Sequence, residues 1–129
     1  MCCRERTKKM KGVTALLRKV WRSIDTPEKW TKGTMQHDFR NAMGDLTCRK
    51  MCLIGAVCYA TNVPNLSSPG ENELVDATFD RLSAHLDKKW LRGDRNARGT
   101  LMDFNDAPET THEDIERLFM NAIAEEEPA

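Results

Sequence analysis

Val13, Leu16, Leu17, Val20, Trp21 and Ile24 recur at intervals of three and four residues. That spacing lays one apolar stripe along a helix and leaves Arg18, Lys19 and Arg22 on or beside its wet face. Thr26 followed by Pro27 marks a new start, with an N-cap hydroxyl and a proline preset for the first helical position. Trp30-Thr31-Lys32-Gly33 closes that short segment on a glycine suited to a left-handed stop. Residues 34–45 are polar and carry no clear period. From Asp45 the chain turns apolar almost all round, through Leu46, Met51, Leu53, Ile54, Val57 and Tyr59. A helix with apolar residues on every side belongs in the middle of a fold, and Gly55-Ala56 would admit a close neighbour. A buried strand competes for this run, but its length from Leu46 to Ala60 favours a helix.

Residues 61–73 read as a loop ending in a capping box, Ser68-Pro69-x-Glu71. Val75, Phe79, Leu82, Leu86 and Trp90 then predict a helix that reaches Leu91 and stops at Gly93. Residues 93–99, GDRNARG, form a polar loop, and Leu101, Met102 and Phe104 return the chain to the core. A second capping box, Thr110-x-x-Glu113, opens a last helix whose buried face is Ile115, Leu118, Phe119, Ala122 and Ile123. No run alternates with period two, so the expected fold is all-α. It is a compact orthogonal helical bundle of about four main helices around one central buried helix. The expected organisation is a flexible basic arm (1–12), a single helical domain (13–124) and an acidic frayed tail (125–129).

Composition agrees with a soluble domain: 129 residues, 40% hydrophobic and 31% charged. The longest apolar run, residues 51–60, is well short of the roughly 20 residues a membrane span needs. Arg18 and Lys19 interrupt the apolar stretch after the basic start, so no secretory signal is visible. Five irregularly spaced cysteines do not resemble a disulfide framework, and a reducing cytoplasm is the expected location. Net charge is zero but unevenly placed. Residues 1–22 hold eight Lys or Arg against one acid, a net +7, whereas residues 103–129 hold nine acids against one Arg, a net −8. Either the two ends neutralise each other, within a chain or between subunits of a homodimer, or the basic segment serves an acidic partner.

Candidate chemistry is sparse. Cys48 and Cys52 would share a helical face, but Cys58 lies about 120° away from Cys52, and no Cys-x-x-Cys or His-x-x-x-His pattern completes a metal site. No metal and no cofactor are expected. His112, in the first turn of the last helix, reads as a solvated residue with a lesser prospect of chemistry. Arg95 and Arg98, with Arg92, would hold a phosphate if their loop folded around one. Arg4, Arg6, Lys8, Lys9 and Lys11 would attract nucleic acid or an acidic protein, although no aromatic interleaves them. Asn105-Asp106 stands between Phe104 and Pro108 and is expected to make an Asx-turn, each side chain accepting an amide one or two residues on. The alternative is a small ligand or hydrolytic site around Trp30, Asn105, Asp106 and His112.

The order Trp30-Thr31-Lys32-Gly33, Gly44, a cysteine-bearing helix with Gly55-Ala56, then Asn105-Asp106 and Thr110 resembles a small domain-of-unknown-function family of actinobacteria and their phages. The resemblance spans residues 13–124 and implies a helical fold without an established activity. The expected function is therefore non-catalytic: a protein acting by contact with another macromolecule, as a phage accessory protein would on a host component. Nucleic-acid binding through residues 4–11, or a small-ligand or hydrolytic site at Asn105-Asp106, is the alternative.

Overall fold

The computed structural model describes residues 2–61, 73–91, 93 and 96–125, with side chains in the first helix from Gly12 onward. Helix α1 runs Cys2–Ser23 and is followed by a single 3-10 turn, Pro27–Lys29. A hairpin of strands β1 (Gln36–Arg40) and β2 (Leu46–Met51) leads into helix α2 (Leu53–Thr61). Helix α3 (Glu73–Ala84), a second 3-10 turn (Lys88–Trp90), α4 (Ala97–Asp106) and α5 (His112–Ala124) complete the described chain. Helix α1 begins at Cys2, so the basic segment 2–12 continues the helix that the apolar stripe predicts.

The stripe is buried as its spacing requires, with Val13, Leu16, Leu17, Val20 and Ile24 in the core and Trp21 packed beside them. Helix α1 packs against α2, α3 and α5, and α4 lies against α3 and α2. In α2 every residue is buried except Tyr59, which points outward, and the half-buried terminal Thr61. Leu17, Leu53, Ile54, Phe79, Leu82 and Phe119 are fully enclosed, and side chains of this size contribute roughly 1.5–3 kcal/mol each by leaving water.

The all-α expectation is overturned by the hairpin. The domain is mixed α/β, five helices and a two-stranded antiparallel sheet among the described residues. The predicted central helix is also split: residues 46–51 form β2, and the helix proper starts only at Leu53. The strands pair with Asp38 opposite Arg49 and Phe39 opposite Cys48, and the register shifts between Phe39 and Arg40. Neither strand alternates apolar and polar residues, because the hairpin lies on the surface and only Met51 is buried. Its turn is organised locally. Asn41 accepts amides from Met43 (2.9 Å) and Asp45 (3.0 Å), and Gly44 takes φ +84°, a conformation costly for a residue with a Cβ.

Smaller differences have equally local causes. Helix α3 ends at Ala84 rather than Leu91, tightening into 3-10 bonds from His85 and Leu86 before Asp87 turns extended. Half of the expected arginine loop is helical, because Asn96 caps α4 by accepting the Gly99 amide at 2.7 Å. The last capping box sits one residue later than expected, on Thr111 and Asp114. Both threonines precede an acid by three residues, and burial of Thr110 decides between them. The expected Ser68-Pro69-x-Glu71 box, Arg92, Arg95 and residues 126–129 lie outside the described residues. Of the acidic C-terminal segment, Glu125 pairs with Arg81 and His85 of the α3 region (3.1 and 3.0 Å). No helix among the described residues is long and apolar enough to cross a membrane.

Gly55 is the tightest point of the fold. A Cβ there would stand 1.9 Å from the main-chain oxygen of Met35, which itself accepts the Cys52 amide at 3.3 Å. The segment before β1 therefore lies flat on the first turn of α2. Gly55→Ala should destabilise the protein by about 1–3 kcal/mol, since backbone rather than a flexible side chain must move. Gly93→Ala, which meets open space, serves as the control. Urea unfolding of both variants checks this, and equal midpoints would contradict the close approach.

Candidate functional site

Asn105 occupies the last turn of α4 and is completely buried. Its carbonyl oxygen accepts two hydrogen bonds, from the Trp30 indole at 2.7 Å and from the Leu53 amide at 3.0 Å. Its amide nitrogen donates two, to the Thr31 carbonyl at 3.1 Å and to Asp106 Oδ1 at 3.0 Å. A carboxamide has two lone pairs and two N–H bonds, so this side chain is saturated. Asp106 Oδ1 also accepts the Gly33 amide at 2.9 Å, and Lys32 Nζ donates to the carbonyls of Ala107 and Pro108. Residues 30–33 and 105–108 are thus zipped together side chain to backbone. This differs from the expected Asx-turn: Asn105 and Asp106 accept backbone amides of distant segments, from Leu53 and Gly33.

The same site completes the buried start of α2. A helix begins with amides that have no partner of its own, and here water cannot supply one. Leu53 N is met by Asn105, and Gly55 N donates to Cys52 Sγ at 3.3 Å. Ala56 N makes the first helical bond, to Cys52 O at 2.9 Å. Cys52 therefore acts as an N-cap through sulfur. Burial raises its thiol above the ordinary cysteine range, and burial does the same to Cys58.

The four residues named as candidate ligand groups converge. Trp30 bonds Asn105, Asn105 bonds Asp106, and the His112 ring lies 6.0 Å from the Trp30 ring and stacks on Trp21 at 5.6 Å. His112 Nε2 lies 2.8 Å from the Ile24 carbonyl, which can only accept, so that nitrogen carries the proton. Among the described residues no three His, Cys, Asp or Glu side chains gather as a metal site. The polar groups of this cluster face one another.

Arg98 is half-buried and lies over the Phe79 ring at 5.3 Å, inside the fold. The side chains of Arg4, Arg6, Lys8, Lys9 and Lys11, and all of Arg95, lie outside the described residues.

Sequence reasoning missed the outer face of the hairpin. Met43 is 86% exposed, and Tyr59, Leu46 and Phe39 are 53%, 45% and 43% exposed. Leu46, Met51 and Tyr59 line a shallow groove of about 430 Å³ with Ser23, Lys29, Thr47, Cys48 and Arg49. Arg49 lies 5.0 Å over the Tyr59 ring and pairs with Asp38 at 2.8 Å, which holds the Asp38 carboxyl below its usual range. A smaller polar cleft of about 180 Å³ lies between the second 3-10 turn and α5. Asn41 with Gly44 between polar runs was the available signal for the hairpin.

Asn105→Ala should cost about 3 kcal/mol or more, because it strands the Trp30 indole N–H and the buried first amide of α2 and empties a fully buried site. Trp30→Phe, which removes one bond, should cost about 1–2 kcal/mol, and Asp106→Ala, partly exposed, about 0.5–2 kcal/mol. Urea titrations rank the three, and wild-type stability of Asn105→Ala would refute the staple. A second prediction concerns the thiols. With iodoacetamide near neutral pH, half-buried Cys48 should be modified well before Cys52 and Cys58, whose raised pKa values leave little thiolate. Peptide mass spectrometry over time reads the order.

No curated protein and no solved structure matches the chain. A family model does, over residues 9–125, which takes in the Trp30–Gly33 segment, the hairpin, the buried start of α2 and the Asn105 staple. The chain belongs to the family of unknown function DUF6197.

Proposed function

We propose that the protein is a non-catalytic binding protein that acts by contact with another macromolecule through the β1–β2 hairpin and the adjoining turn of α2. One observation carries this reading: Phe39, Met43 and Leu46 are large apolar side chains standing exposed on a hairpin whose base is pinned, and Tyr59 of α2 is exposed as well. Single exposed apolar residues are ordinary, whereas several on one small projecting element mark an interaction surface. The base is held by Thr31 N to Met51 O at 3.1 Å and by Cys52 N to Met35 O at 3.3 Å, so the face is presented on an anchored support. The Asn105 cluster supports the reading from the other side, because its hydrogen bonds hold the fold together. Free Cys48, Cys52 and Cys58 suit a cytoplasmic setting. In an actinobacterium or one of its phages, the partner would be a host component, and a homodimer through the same face is the competing arrangement.

Met43→Ser combined with Leu46→Ser should leave stability within about 0.5 kcal/mol, as exposed positions do, while abolishing capture of partners from host extract. Met102→Ser with Met120→Ser, on α4 and α5, should leave capture intact. Undiminished capture by the hairpin variant would overturn the assignment. Light scattering on the same proteins separates a hetero-partner from self-association.

A further inference from the structure

We infer that the groove beside β2 takes an acidic peptide segment carrying apolar anchors. This rests on the hairpin reading above and names the chemistry of its partner. The charged side chains lining the groove are Lys29 and Arg49, and no carboxylate lines it. The acids that pair with them, Asp25 (3.0 Å from Lys29) and Asp38 (2.8 Å from Arg49), are outside the lining. Exposed bases of α1 also stand near the groove, as does the exposed acid Glu28, next in sequence to Lys29. Arg22, exposed at the end of α1, precedes the lining residue Ser23. Lys19 reaches across to the Ala60 carbonyl at 2.9 Å, next to Tyr59.

The rest of the lining sets the second half of the occupant's chemistry. Leu46 and Tyr59, both exposed, provide apolar surface in the same groove as the two cations. An incoming chain gains by burying aliphatic or aromatic side chains there while its carboxylates meet Lys29 and Arg49. Such pairs steer the encounter and set specificity, and the apolar contact holds the complex. A nucleic acid fits less well. It would need several base-stacking faces, and the lining holds one aromatic ring, Tyr59. No β1 residue lines the groove, so it lies on the side of β2 away from its paired strand.

The test uses the full chain and a fluorescein-labelled synthetic peptide of alternating glutamate and leucine, about a dozen residues long. Two further probes are the same peptide with lysine for glutamate and a single-stranded oligonucleotide of equal charge. Fluorescence anisotropy should show saturable binding of the acidic peptide alone, weakening as salt rises. Lys29→Glu and Tyr59→Ser should each raise Kd by about tenfold or more, with unchanged thermal melts. Replacing Arg4, Arg6, Lys8 and Lys9 by Gln should leave Kd within about twofold, which excludes attraction to the basic segment of α1. Equal binding of the lysine peptide, tighter binding of the oligonucleotide, or insensitivity to Lys29→Glu and Tyr59→Ser overturns the inference. If no peptide binds yet the Met43/Leu46 variant still loses its captured partner, the acidic-peptide inference fails while the hairpin reading stands. If that variant keeps its partner, the hairpin reading itself fails.

Discussion

A helix that starts inside the core poses a problem at its first turn, where amides have neither helical partners nor water. In this protein the Asn105 side chain meets one of them, the amide of Leu53, and with its remaining capacity ties in the Trp30 indole, the Thr31 carbonyl and Asp106. An unpaired polar group in this position would cost about 1–3 kcal/mol, a sizeable share of a small domain's stability. Satisfying all of them with one carboxamide forces three distant segments into a single geometry. Helix α4 must end where it does, the Trp30–Gly33 segment must lie across that end, and α2 must start beneath both.

The hairpin follows from that constraint. Its two ends enter and leave the same knot: Met35 lies on Gly55, and Met51 bonds Thr31 before Cys52 opens α2. Beyond that anchored base the strands receive little from the core, so their cohesion is local, through the Asp38–Arg49 pair and the Asn41 turn. Apolar side chains at the outer end then remain in solvent. Their exposure gives the hairpin its functional interest, because the fold holds them out without burying them.

Charge is arranged along similar lines. The excess of bases in residues 1–22 and of acids in residues 103–129 left open a direct meeting of the two ends or an acidic partner for the basic segment. Helices α1 and α5 do pack together, but that contact includes Trp21 against Phe119, rings 5.4 Å apart. Glu125 turns instead to Arg81 and His85. Exposed bases of α1, Arg18, Lys19 and Arg22, are left on its outer side, continuous at Ser23 with the groove beside β2.

Much of the helical framework was legible from spacing alone. The stripes of α1, α3 and α5 repeat every three or four residues, and that period reports burial of a helical face wherever the partner lies. Residues 53–60 read correctly as a buried helix because the run is apolar on every side and long for a strand, and Gly33 does adopt a left-handed conformation, with φ +76°. The hairpin was not legible, because a surface sheet of polar residues has no alternating pattern to detect, and the apolar tone of residues 51–60 spread the helix back over β2. The neighbourhood of Trp30, Asn105, Asp106 and His112 was named from the residues, but its nature was not. A buried asparagine and an Asx-turn asparagine look identical along the chain. Which acceptors and donors it meets depends on segments as far as 75 residues away, and only the tertiary structure brings them within hydrogen-bonding reach.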